Sequence, residues 1–272
     1  YHVVEADAGY LACGWTGEGR MPEPEAILRE IERLNKPGDL EGEKILVTGG
    51  PTEEPLDPVR FLTNRSSGKM GVALARMAAL RGADVTLVAG PMKVDPPHRV
   101  KYVPVRTAQE MHDRVLELFP DVTVVIKSAA VADFRPSRSS RDKIKKKKVG
   151  PSIDLVMNPD ILHILGKSKT ADQILVGFAA ETQDLMKNAR KKLQSKTLDI
   201  LVLNDVSQPG SGFDCDTNIV RILHRSGLEE QMDIMPKEQV ADLILDKVRE
   251  LRQNRRPTLV SRPQRKPEPL RS

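Results

Sequence analysis

Short runs of aliphatic residues that stop abruptly at small or polar residues, with amphipathic stretches between them, constrain this chain more than any other feature. Ile45-Leu46-Val47-Thr48 stops at Gly49-Gly50, and Asp84-Val85-Thr86-Leu87-Val88 and residues 122–126, 174–178, 200–203 and 219–223 have the same form. Each is too short for a helix and lacks in-and-out alternation, the mark of strands covered on both faces. Between them, 70–80 is apolar and alanine-rich, Thr107-Ala108-Gln109-Glu110 has capping-box spacing ahead of Met111, Val115 and Leu118, and 184–196 reads as a Lys/Arg-rich helix. Pro236 opens a last helix with Val240, Leu243, Ile244, Val248 and Leu251 on one face. The alternation predicts an α/β protein: a Rossmann-like, doubly wound, mostly parallel sheet flanked by helices.

Composition divides the chain into three regions. Residues 1–43 carry a glycine-dense stretch at 14–19 and end in the linker-like Asn35-Lys36-Pro37-Gly38-Asp39; 44–251 hold the alternating pattern; 252–272 form a Pro/Arg-rich tail. The tail has too little apolar content to offset its ordering entropy, which predicts disorder. The opening Tyr1-His2-Val3-Val4 reads like the exit of a strand whose domain lies upstream. The formal charge of +5 resides in the tail, where seven Lys or Arg oppose Glu268 and leave the rest near −1. No basic docking face for nucleic acid is therefore expected. No apolar run approaches the roughly 20 residues of a membrane span. Cys13 and Cys215 are too few and too distant for a disulfide framework or zinc site, so a reducing cytoplasm is the expected location.

In an open parallel sheet ligands gather beyond the carboxyl ends of the strands, and the polar residues of this chain cluster there. After the first strand, a long loop from Gly49 to Arg60 leads to Asn64-Arg65-Ser66-Ser67-Gly68-Lys69-Met70-Gly71 and a helix. Small residues at a helix start expose N–H groups, and the local dipole favours a phosphate or carboxylate. The competing reading is that Ser66, Ser67 and Gly68 only cap the helix. Gly68-Lys69 is followed by Met70, so this is not a P-loop, and the second strand ends in Ala89-Gly90-Pro91 without the carboxylate that holds a dinucleotide ribose. Ser128-Ala129-Ala130-Val131-Ala132-Asp133 allows a flat ring close to the backbone, with Asp133 either accepting from it or capping a helix. Lys143-Ile144-Lys145-Lys146-Lys147-Lys148 is either a solvated loop or a mobile lid over a polyphosphate. Lys192 and Lys196 share a helix face, either solvated or turned toward one phosphate chain.

These residues carry a resemblance. Gly50-Pro51-Thr52, Glu54-Pro55-Leu56-Asp57-Pro58-Val59-Arg60, Asn64 and Ser66-Ser67-Gly68-Lys69-Met70-Gly71 are similar to the phosphopantothenoylcysteine synthetase half of bacterial coenzyme A biosynthesis. Ala129-Ala130-Val131-Ala132-Asp133, Lys143-Ile144-Lys145-Lys146, Asn158-Pro159-Asp160-Ile161, Gly177-Phe178-Ala179-Ala180-Glu181-Thr182 and Asn204-Asp205-Val206 follow in that family's order, over roughly residues 44–250. Ala12-Cys13-Gly14 with Gly17-Glu18-Gly19-Arg20-Met21-Pro22-Glu23-Pro24 resembles the end of the flavin-dependent decarboxylase fused ahead of it.

The resemblance implies a CTP-dependent ligase that joins 4′-phosphopantothenate to cysteine through an acyl-cytidylate, within a bifunctional enzyme that also decarboxylates the product. It implies Asn64 orienting the acyl-cytidylate and Lys143 closing from the flap. It places Ala129, Asp133, Asn158, Pro159, Asp160, Ile161 and Phe178 on the nucleotide, Lys192 and Lys196 on the triphosphate, and Mg²⁺ between phosphate oxygens. Arg60, Ser66, Ser67 and Gly68 are the candidates for the substrate and its phosphate. Cys13 resembles the decarboxylase's proton donor, with FMN and most of its pocket upstream; Cys215, Lys147 and Lys148 have no assigned role. A homo-oligomer, at least a synthetase dimer, is implied, with neither nucleic acid nor membrane as partner. The competing reading is an NAD(P)-dependent reductase with an atypical Rossmann-like site.

Overall fold

The computed structural model describes residues 1–145, 152–180, 185–204, 212 and 214–255. Lys146, Lys147, Lys148, Glu181, Thr182, Asp205, Val206 and the tail from residue 256 lie outside these residues. Eight strands form the central sheet: β1 (Lys44–Gly49), β2 (Asp84–Ala89), β3 (Lys101–Pro104), β4 (Val124–Lys127), β5 (Ile174–Ala180), β6 (Ile200–Asn204), β7 (Val220–His224) and β8 (Glu229–Gln231). Their spatial order is β3-β2-β1-β4-β5-β6-β7-β8. The first six are parallel, and β7 and β8 add on antiparallel. The strand order reverses direction between β1 and β4, so the crevice above that pair is where a doubly wound sheet takes a ligand.

Among the described residues six α-helices accompany the sheet: α1 (Pro24–Leu34), α2 (Lys69–Leu80), α3 (Ala108–Leu118), α4 (Ile161–Ser168), α5 (Leu185–Ser195) and α6 (Lys237–Arg255). The strands read as continuous apolar runs because both of their faces are buried. Ile45, Val47, Leu87, Ile126, Val176, Val202 and Ile222 pack with Leu74 and Met77 of α2 and Val240, Ile244, Leu245 and Val248 of α6. Leu46, Val88, Val125, Leu175, Leu201 and Leu203 pack on the other face with Met111 and Val115 of α3, Ile161, Leu162 and Leu165 of α4, and Ala189 and Leu193 of α5. Alternate residues of one strand thus feed two cores. On α6, fully buried Leu245 takes the place expected of Leu243, which is only half-buried.

Two ends of the main unit differ from the composition-based division. Leu40 is already in the core, 1% exposed, and Glu43 is buried. Helix α6 continues past Leu251 to Arg255, and its last turn is held by ion pairs: Arg252 with Glu43 at 2.9 Å and Arg255 with Asp199 at 2.5 Å. Ahead of this unit, the strands Asp7–Tyr10 and Thr16–Arg20 form an antiparallel hairpin, and α1 lies against α2 and α6 through Arg76, which pairs with Glu32 and Glu238. Among the described residues no helix is long and apolar enough to cross a membrane.

Candidate functional site

The exits of β1 and β4 are fastened to each other. Ser128 Oγ donates to Thr48 O at 2.6 Å, Ala130 N–H to Gly50 O at 2.9 Å, Ala129 N–H to Thr48 Oγ1 at 3.2 Å and Ala132 N–H to Thr52 Oγ1 at 3.0 Å. Two glycines permit this closeness: a Cβ on Gly90 would fall 1.6 Å from Pro51 O, and one on Gly71 would fall 2.7 Å from Gly49 Cα, so α2 rests directly on β1.

The start of α2 faces a cavity of about 130 Å³ lined by Ser66, Ser67, Gly68, Ala129, Phe178 and Asn204, among others. The N-cap residue is Gly68 at φ 82°, with no side-chain cap. Ser66 Oγ accepts from Gly68 N–H at 3.3 Å, outside the N2 and N3 positions that a cap serves, while Gly68 itself stands at the N-cap. Asn204 Oδ1 is buried without a hydrogen-bond partner among the described residues. Lys237 also borders the cavity; its Nζ donates to Gly212 O at 3.4 Å and to Cys215 O, and burial pushes its ammonium below the ordinary lysine value. Uncapped N–H groups, an open acceptor and a buried ammonium suit an anionic or amide-bearing ligand. A larger cavity of about 660 Å³ lies among His2, Glu30, Arg33, Arg76 and Arg99, away from the strand exits.

Asn64 reaches across to the β4 exit, its Nδ2 donating to Val131 O at 3.0 Å. Arg60 is held by Asp57, whose side chain is fully buried and accepts from Arg60 Nε at 3.0 Å and also from its Nη2. The same carboxylate accepts from Ile144 N–H at 3.1 Å, while Arg60 Nη2 donates to Ile144 O at 3.0 Å. Ser140 N–H donates to Leu56 O at 3.0 Å. Lys143 is exposed between these two contacts, and the rest of its lysine run, Lys146 to Lys148, lies outside the described residues. The Arg60 guanidinium beside Asp57 holds the carboxyl well below the usual aspartate range. That segment belongs to the long connection between the paired strands Phe134–Pro136 and Leu155–Met157.

Asn158 fixes the loop after β4. Its Nδ2 donates to Ala132 O at 2.8 Å, its Oδ1 accepts from Arg135 Nη1 at 2.8 Å, and its N–H donates to Asp133 O at 2.8 Å. Asp133 is exposed and precedes a strand, so it caps no helix. Asp160 does: its Oδ1 accepts from His163 N–H at 3.1 Å, while its Oδ2 pairs with Lys196 Nζ at 2.8 Å. Pro159 is half-buried, but Ile161, expected on the nucleotide, sends its side chain into the core at 1% exposure, leaving only its backbone for a ligand. Lys192 lies one turn before Lys196, whose N–H donates to Lys192 O at 3.1 Å. Lys127, at the end of β4, is near both, and neither composition nor the motifs marked it. Its signal was a charge closing an otherwise aliphatic strand.

Cys13 is exposed between the two strands of the N-terminal hairpin, and Cys215 is half-buried.

Residues 40–251 match the model of the DNA/pantothenate metabolism flavoprotein C-terminal domain. The chain belongs to this family. It is 46% identical over 252 residues to the coenzyme A biosynthesis bifunctional protein CoaBC of Bacillus subtilis, covering 91% of this chain and 62% of that protein. It is 42% identical to CoaBC of Escherichia coli, covering 89% and 60%. The chain therefore spans about three fifths of the length of these relatives. The crystal structure of the C-terminal domain of a CoaBC protein superposes with a TM-score of 0.69 at 40% identity, covering 80% of this chain and 99% of that domain. A Cab2 variant in complex with phosphopantothenate-cysteine superposes at 0.62 with 18% identity, covering 86% and 95%, a likeness of fold alone.

Proposed function

We propose that this member of the DNA/pantothenate metabolism flavoprotein family ligates 4′-phosphopantothenate to cysteine in coenzyme A biosynthesis, using CTP. The observation that carries the reading is the pairing, around the β1–β4 crevice, of the uncapped α2 start with a lysine cluster on the α4/α5 side. The CoaBC likeness supports the same chemistry.

In the first step a carboxylate oxygen of phosphopantothenate attacks the α-phosphorus of CTP; the P–O bond to the β-phosphate breaks and pyrophosphate leaves. In the second, the cysteine nitrogen attacks the acyl carbon, the C–O bond to CMP breaks, and the amine proton passes to solvent. Neither step needs an enzyme nucleophile, so the chain supplies positioning and charge. Asn64 offers an amide that donates and accepts without altering the site's charge. Lys192 and Lys196 neutralise the phosphates, and Lys143 reaches in by its side chain from the tethered segment. Ala129, Asp133 and Phe178 serve the nucleoside, with Asn158, Pro159 and Asp160 shaping that side. Ser66, Ser67, Gly68 and Arg60 serve the acid substrate. Mg²⁺ would come as an ion carried by the nucleotide, since magnesium takes many of its ligands from phosphates and water.

Decarboxylation by the complete polypeptide, with Cys13 as proton donor, belongs to the same proposal. The hairpin and α1 are too small to enclose FMN, so no flavin-dependent step is assigned to them. The reductase reading gains nothing, since β2 ends at Ala89 and runs into Gly90-Pro91 without a carboxylate for a ribose.

Pyrophosphate release measured with CTP or ATP, with and without phosphopantothenate and cysteine, tests the proposal; release that ignores the acid substrate would sink it. Asn64→Ala is expected to keep CTP affinity and acyl-cytidylate formation but to slow amide formation about 10²-fold. Single-turnover trapping of the intermediate checks this.

A further inference from the structure

The aliphatic run of β4 ends on Lys127, in register with Thr48 of β1 and Gly177 of β5. Side chains alternate along a strand, so Lys127 shares the face of Val125, toward α4 and α5. Burial pushes its ammonium down to about 8; nearby Lys196 and Lys192 act in the same sense, against Asp160 and Asp133. Among the described residues Lys127 Nζ donates no hydrogen bond and forms no ion pair. The nearest candidate partner is engaged elsewhere, because Asp160 holds Lys196 at 2.8 Å and caps α4. A desolvated cation without a counter-ion is costly, and an aliphatic side chain would suit this end of the strand better for stability alone.

We propose that Lys127 is a phosphate-binding residue, completing with Lys192 and Lys196 a three-lysine cradle for the polyphosphate of a nucleoside triphosphate. This rests on the nucleotide reading above and adds to it a residue and a pH response. Four charged groups face Lys127: Lys192 from α5, Lys196 just beyond its end, Asp160 from the N-cap of α4 and Asp133 from the loop after β4. An incoming phosphate supplies the missing counter-charge and holds the proton on Nζ. Below about 8 the cradle is charged before binding; as pH rises through that value Lys127 must be reprotonated on binding, and affinity falls by up to about tenfold per pH unit.

The test is calorimetric titration of the full chain with magnesium CTP and, separately, with inorganic tripolyphosphate, from about pH 7 to about pH 9. Wild type is expected to weaken about tenfold across that range. Lys127→Met is expected to bind about tenfold more weakly at neutral pH, without that decline, while melting at or above the wild-type temperature. Lys127→Arg retains the charge and is expected to restore binding with no decline. A Lys127→Met variant with wild-type affinity and pH slope overturns the proposal and leaves the ligase reading standing. Tripolyphosphate binding that follows Lys127, without CTP binding, supports the cradle and sinks the nucleotide reading. Lys127→Met melting well below wild type overturns the view of an uncompensated cation.

Discussion

Asp57 accepts five hydrogen bonds from three residues, Val59, Arg60 and Ile144, from within a fully buried side chain. Because its carboxyl is held below the ordinary range, the stability it contributes is present above about pH 4, the unfolded value, and is lost as pH falls toward the folded one. Asp57→Asn keeps the shape but loses the charge facing Arg60. It is expected to lower kcat/KM for the ligation about tenfold at neutral pH, with the loss mostly in kcat if Lys143 acts on the transition state. Steady-state kinetics on both substrates checks it. The sequence motif contains Asp57 and Arg60 three residues apart, but the partner at 144 is 87 positions away, and no local pattern reports such a contact. Lys127 escaped notice for a related reason: a lysine after aliphatic residues reads as a strand's polar end until the neighbouring lysines are seen.

At the scale of elements, the buried strands were legible because double-sided burial makes them uniformly aliphatic, whereas β3, Lys-Tyr-Val-Pro at the sheet edge, has three exposed residues in four and lacks that signature. The hairpins Glu53–Pro55 with Phe61–Thr63 and Phe134–Pro136 with Leu155–Met157 are too short and too exposed to register. Thr107 caps α3 as its spacing predicts, accepting from Glu110 N–H at 3.1 Å, yet the Glu110 carboxylate returns to Arg106 N–H and not to Thr107. Parallel strands deliver every loop on one rim to the same side, which is why the polar residues after β1 and β4 come together there. The contact between α2 and β1 tests that geometry. Gly71→Ala drives a methyl into Gly49 and is expected to cost about 1–3 kcal/mol, read as a lower urea midpoint with unchanged slope, and to weaken anion binding at the displaced helix start.

Across the whole molecule, the Phe134–Pro136 and Leu155–Met157 strands stand apart from the central sheet, with Phe134 and Leu155 each 49% exposed and Met157 74%. The ribbon packs on the Glu53–Pro55 strand but leaves these three apolar side chains uncovered, a surface that a second copy of the chain can cover. We propose the homodimer at this ribbon. Light scattering on Met157→Asp is expected to read the mass of one chain where the unaltered protein reads two; an unchanged dimer would move the interface elsewhere.

The tether at Ile144 also bears on the reach of Lys143. While the amide hydrogen and the carbonyl of that residue are both spoken for, the adjoining ammonium extends roughly 6 Å on its own methylene stem. Carrying it farther means breaking both of those bonds first, so the grip of Asp57 and Arg60 sets the cost of any longer excursion.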